Sequence, residues 1–207
     1  FDIERMPIEA KLRIGYLPEG APAYGEMTPA KFLEFISDIR GIPRATRSAR
    51  IAKVVAQIHL ENVLHQRIET LSKGFKRRVG LAQAILHDPE ILIMDEPTDG
   101  LDPNQKHEVR TLIKEMAAEK AIVISTHILE EVDAVCTRAV IINQGEVIFS
   151  GTPRELAQRS RYSNAATIVI GATDHPRVRQ ELQNIAGVQK VEEFVNGDEV
   201  RITLIPS

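Results

Sequence analysis

The sequence has a single cysteine, Cys136, so no internal disulfide can form, and it has no CxxC or Cys/His cluster of zinc-site spacing. It also lacks any apolar window near the ~18–20 residues that span a bilayer, and no charged, apolar, small-residue order marks a signal peptide. A reducing cytosol is the simplest setting for such a chain, with any membrane attachment supplied by a partner. Neither sign of charge predominates: 26 Lys+Arg against 29 Asp+Glu leave a net −3, which argues against a dedicated nucleic-acid binder. Internal repeats and low-complexity tracts are absent, and 207 residues suffice for one substantial core plus a small appendage.

Against this background residues 91–102, ILIMDEPTDGLD, stand out. A short apolar run between Pro89 and the Asp95, Glu96, Pro97 triplet fits a buried parallel strand that ends at a ligand crevice. Asp95 and Glu96 then sit where the strand emerges, since successive side chains point to opposite faces. Adjacent carboxylates repel unless their tasks differ, and phosphoryl transfer needs both a metal-holding acid and a group that orients the attacking water. Asp95 is thus the candidate Mg²⁺ ligand and Glu96 the candidate for the water; a solvated acidic turn is the plainer alternative.

Two further stretches share that logic. LSKG, residues 71–74, precedes a helical pattern with Phe75, Val79, Ala82 and Leu86 on one face; Ser72 is a natural N-cap, and a helix start with serine and glycine offers N–H groups to an anion. A second apolar run, 121–126, delivers His127 just beyond its end, a position suited to donating a hydrogen bond to a phosphate. The other five histidines lie in or beside helical patterns without such a context.

In this order the segments resemble the ATP-binding-cassette (ABC) ATPases. LSKGF resembles the signature motif, ILIMDEP the Walker B motif with its catalytic glutamate, DGLD the dimer-contacting D-loop and STH the switch histidine. YLPEG, residues 16–20, stands in place of the loop that normally carries a glutamine; its Glu19 could still ligate Mg²⁺, a hard cation that prefers oxygen. The similarity covers about residues 14–151.

The resemblance implies an α/β fold of P-loop NTPase type: a parallel sheet and helical subdomain (about 19–87) within an ABC ATPase domain at 1–160, then an accessory α+β region at 161–207. It implies ATP and Mg²⁺ as cofactors. Glu96 and His127 are the expected catalytic residues, Asp95 and Glu19 the metal ligands, and Ser72, Lys73, Gly74, Glu19 and Asp102 the nucleotide-binding set. Implied partners are a second ABC ATPase subunit, a homodimer, and an integral-membrane permease, with no nucleic acid. The protein would be cytoplasmic and peripheral on the plasma membrane, and YLPE resembles a variant found in ATPases of ABC-2 type exporters. The family's GxxxxGK[ST] loop, which cradles phosphates, is not among these residues. The family places it before the position of Phe1, so an N-terminally truncated, inactive piece is expected. A soluble ABC ATPase of translation or DNA maintenance, and a non-catalytic remnant, are the alternatives.

Local patterns complete the expectation. They predict a strand over 11–17, a helix from Thr28 and Pro29 to Gly41 with Phe32, Phe35, Ile36 and Ile39 inward, and a helix over 48–59. Asp102 caps a helix with Val109, Leu112, Ile113 and Met116 inward, a complete structural role on its own. Residues 139–142 and 146–149 form a hairpin about Asn143, Gln144 and Gly145, and Thr152 and Pro153 open a short helix. Beyond Ala166 a βαββ pattern follows, with its helix over 176–186. The basic run Lys76, Arg77, Arg78 reads as a solvated helix face rather than a nucleic-acid contact, since no aromatic platform accompanies it, with an approach of some of these charges to nucleotide phosphates as the alternative.

Overall fold

A computed structural model of the chain describes residues 2–20, 24–159, 165–171 and 175–206. Its contacts gather into two units, Phe1–Val135 and Cys136–Ser207. The change of pattern read near residue 160 falls in 160–164, outside the described residues.

The first unit is α/β, built on a parallel sheet of β1 (Ile14–Leu17), β2 (Ile91–Asp95) and β3 (Ala121–Ser125) in that order. Leu17 pairs with Met94, Met94 with Ile124 and Asp95 with Ser125, so the strands finish along one edge. Whatever follows each strand, Pro18–Glu19, Glu96 or Thr126–His127, is therefore delivered to the same side of the sheet.

One face of that sheet is core and the other is not. Leu17, Leu92 and Met94 are buried against the helices, each such side chain contributing about 1.5–3 kcal/mol. Tyr16, Ile93 and Val123, at the alternate positions, are exposed.

The helices are α1 (Pro7–Leu12), α2 (Pro29–Ile39), α3 (Arg44–Gln57), α4 (Lys73–Ile85), α5 (Pro103–Met116) and α6 (Leu129–Val135). Three begin as the sequence predicts: Thr28, Ser72 and Asp102 accept hydrogen bonds from the backbone N–H groups of Lys31, Phe75 and Gln105. Four details differ. The strand expected over 11–17 shrinks to β1, because Pro7 starts a helical turn that runs to Leu12. Ile39 lies outside the inward stripe of α2 and is exposed, while Leu33 is fully buried. α3 starts directly after Pro43. Residues 61–70 form two 3₁₀ turns, laced to the start of α2 by Ile68 N–H to Met27 O at 2.8 Å and Ala30 N–H to Leu64 O at 3.1 Å.

α4 can lie close on β1 because position 15 is glycine: a Cβ there would collide with the Ala84 carbonyl, Leu92 and Pro89. This approach sets the height of the LSKG helix over the strand ends.

The second unit contains the expected hairpin, β4 (Ala139–Asn143) and β5 (Glu146–Gly151), followed by α7 (Pro153–Gln158) with a reciprocal Thr152–Glu155 capping box. An antiparallel sheet of β6 (Ala166–Gly171), β8 (Glu199–Pro206) and β7 (Val188–Asn196), with α8 (His175–Gln183), completes it. Its helix ends three residues before the predicted 186, and Val200 and Ile202 of the central strand are its most buried residues.

Candidate functional site

At the shared strand edge, the end of β2 turns sharply. Glu96 adopts φ +46°, a left-handed conformation that costs a non-glycine residue of order 1–3 kcal/mol and recurs at functional sites. Its N–H is held by the Ser125 carbonyl and hydroxyl oxygens, each at 3.2 Å. The turn sends its carboxylate toward β3, where Oε1 lies 2.8 Å from His127 Nδ1. Oε2 is buried and has no protein partner. The Glu96 carboxylate raises the affinity of the His127 ring for a proton, first through this hydrogen bond and then through its charge. Asp95, one residue earlier, accepts a hydrogen bond from the Ser125 hydroxyl.

The sequence misread Arg77. It is buried at 6% exposure, and its guanidinium spends all five N–H donors on backbone carbonyls. Nε donates to Pro97 O (3.4 Å), Nη1 to Pro18 O (2.6 Å) and Gly20 O (3.2 Å), and Nη2 to Asp95 O and Glu96 O, the latter at 2.6 Å. Arg77 thereby fastens the loop after β1, which carries Glu19, to the turn after β2. Burial lowers its proton affinity; Asp95, Asp99, Glu19 and Glu96 counter this. Its neighbour Arg78 is half-buried, pairs with Glu108 and lies 5.6 Å from the Phe75 ring centroid.

Glu19, Lys73, Lys76, Arg77, Glu96 and Asp99 line one cleft of about 480 Å³, within the usual range of ligand sites. The fold thus brings Glu19 and Lys73 together with Glu96. Ser72, Gly74 and Asp102 are not among the residues that line the cleft. Ser72 and Asp102 cap helices, and Gly74 is buried where any Cβ would strike the Gln105 side chain.

The donor chemistry fits a nucleotide and its magnesium. The carboxylate of Asp95 shares one hydroxyl and keeps lone pairs for a hard cation. The partnerless Oε2 of Glu96 is an acceptor suited to a water proton. Among the described residues no three His, Cys, Asp or Glu side chains form a metal cluster; magnesium takes one or two carboxylates and completes its shell from phosphate and water. Elsewhere, His87 packs its Nε2 3.2 Å from Ile14 O and is held neutral, chiefly by burial.

Sequence reasoning also missed Thr98 and Glu131. Thr98 donates to Glu131, which is buried at 2% exposure, and nothing in the local pattern of an acidic helix start marks that glutamate as internal.

Known proteins resemble the chain in sequence and fold. The ABC transporter family profile matches residues 4–99. The chain is 36% identical over 163 residues to the ABC transporter ATP-binding protein NatA of Bacillus subtilis (strain 168), covering 78% of this chain and 66% of that protein. It is 37% identical over 152 residues to the linearmycin resistance ATP-binding protein LnrL of the same organism, covering 73% and 49%. A solved ATP-binding subunit of an ABC transporter superposes with a TM-score of 0.68 at 29% identity, over 77% of this chain and 67% of that one. The chain spans about half the length of several curated relatives it matches, 53% for the B. subtilis protein YxlF. With DEP at a parallel strand end, LSKG at a helix start and the histidine of STH bonded to the glutamate of DEP, the chain belongs to the ABC transporter family of ATP-binding proteins.

Proposed function

We propose that the protein containing this chain binds and hydrolyses ATP to drive a membrane transporter, an exporter with an ABC-2 type permease. The observation that carries the reading is the Glu96 carboxylate, held by His127 on one oxygen and free to accept on the other, beside Asp95. Mg²⁺, when bound, would supply positive charge to the terminal phosphates, with Asp95 as its protein ligand and Glu19, on the loop that Arg77 fastens beside the end of β2, assisting. Glu96 accepts a hydrogen bond from the attacking water and aligns it; His127 donates toward the terminal phosphate.

Ser72, Lys73 and Gly74 present the start of α4, and Asp102 the start of α5, to nucleotide bound by a second copy of the subunit. Closing and opening of that dimer transmits work to the permease. The 207-residue chain alone, without a GxxxxGK[ST] run, turns over no ATP, because it cannot hold the β- and γ-phosphates. Residues 161–207 act as an accessory region, and the protein sits on the cytoplasmic face of the plasma membrane.

The permease docks beside Glu19 and α2. Tyr24, Phe32, Ile36 and Leu17 line a largely apolar cleft of about 210 Å³ there, room for an apolar side chain projecting from a short partner helix. Tyr24 is braced at its rim by Phe35, 5.3 Å between ring centroids, and Met27 lies close by, packed on the core. Similarity to a linearmycin-resistance ATP-binding protein supports the exporter assignment. The test is cysteine cross-linking in membranes from cells expressing the full-length protein with its neighbouring permease, at positions 24 and 27 against a control at the exposed Arg177. Cross-links at 24 or 27 and none at 177 are expected; cross-links at 177 alone would place docking elsewhere.

A further inference from the structure

Glu131 is the most deeply buried carboxylate of the first unit, its side chain 3% exposed. Burying a charge so completely is unfavourable unless it is compensated, and here the partners come from three directions. Oε1 accepts from the Thr98 hydroxyl, Oε2 from the Thr126 hydroxyl at 3.0 Å, and Arg110 and Lys106 of α5 approach Oε1 at 3.5 and 3.8 Å. Thr98 is itself buried and follows Glu96 by two residues; Thr126 directly precedes His127 and also receives the Ile128 N–H at 3.1 Å.

Thus one carboxylate grips both loops whose side chains meet at the Glu96–His127 hydrogen bond. The link has little slack, because each loop is fixed at a residue adjacent or nearly adjacent to its member of the pair. Arg110 and Lys106 extend the grip to the helix that Asp102 caps.

We propose that Glu131 is a positioning residue: by bridging Thr98 and Thr126 it holds Glu96 and His127 at hydrogen-bond distance and couples that distance to α5. It touches neither nucleotide nor water. The inference rests on the reading of Glu96 and His127 as the hydrolytic pair, and it goes beyond that reading by naming what sets their geometry.

The test compares the His127 ring-nitrogen chemical shifts of the full-length protein in nitrogen-15 NMR with those of Glu96→Gln, Glu131→Gln, Thr126→Val and the neighbouring exposed control Glu130→Gln. Thr126→Val is near-isosteric and keeps the test alive if Glu131→Gln does not fold. Glu96→Gln is expected to move the Nδ1 signal strongly, Glu131→Gln and Thr126→Val to move it in the same direction, and Glu130→Gln to leave it in place. ATP turnover of the two bridge variants should fall roughly 10- to 100-fold in kcat with KM little changed, the cost of a misplaced reacting group. If Glu96→Gln leaves the signal unmoved, the pair itself is absent and the functional reading fails. If Glu96→Gln moves it and both bridge variants leave signal and kcat unchanged, the positioning role alone is overturned.

Discussion

Replacing Arg77 by lysine keeps a positive charge in place and removes the planar fork. The guanidinium serves five carbonyls on two separate loops, and a lysine ammonium has three donors, so at least two carbonyls lose a charged partner. A hydrogen bond to a charged group contributes about 1.5–3 kcal/mol, so the gross loss is about 3–6 kcal/mol. Arg77 borders the cleft, where water can replace part of what is lost, which brings the net to about 2–4 kcal/mol. For a unit of this size that is a fall in Tm of roughly 5–15 °C. Thermal unfolding of the full-length Arg77→Lys protein, followed by circular dichroism, measures it, with exposed Arg177→Lys as control. A fall of less than about 2 °C would mean that the clasp adds no stability and that the Glu19 loop is held by other contacts.

Two further substitutions probe the fold. Leu92→Ala should destabilise by about 2–5 kcal/mol in urea unfolding, whereas Ile93→Ala on the open face should cost under about 1 kcal/mol; equal costs would contradict the one-sided core. His87 gives a pH signature. Burial, then the nearby Arg40 charge, lowers its pKa from 6.5 to about 4, so between these values the unfolded chain binds a proton that the folded chain refuses. Stability should therefore be full above pH 6.5 and fall as pH drops toward 4, and His87→Gln should flatten this part of the profile.

What the sequence disclosed and what it hid divide along a physical line. Thr28, Ser72 and Asp102 were legible as caps because capping is decided within four residues. The end of β2 was legible because a short apolar run followed by two acids and a proline has few other solutions. Arg77 was not, because its acceptors come from segments as far as 59 positions away and a basic run on a helix usually faces water. Glu131 was hidden for the same reason: its threonines and cations converge only after β2, β3 and α5 are assembled.

The central claim is that Glu96 orients the water while Asp95 holds magnesium. It is tested most directly by measuring ATP binding and phosphate release together in the full-length protein and its Glu96→Gln and Asp95→Asn variants. Glu96→Gln should bind Mg²⁺-ATP as tightly as the parent while hydrolysis falls by about 10²–10³ or more, since the amide keeps the size and loses the charge. Asp95→Asn should instead weaken Mg²⁺-dependent binding. Unimpaired hydrolysis in Glu96→Gln, or the same binding defect in both variants, would contradict this division of labour.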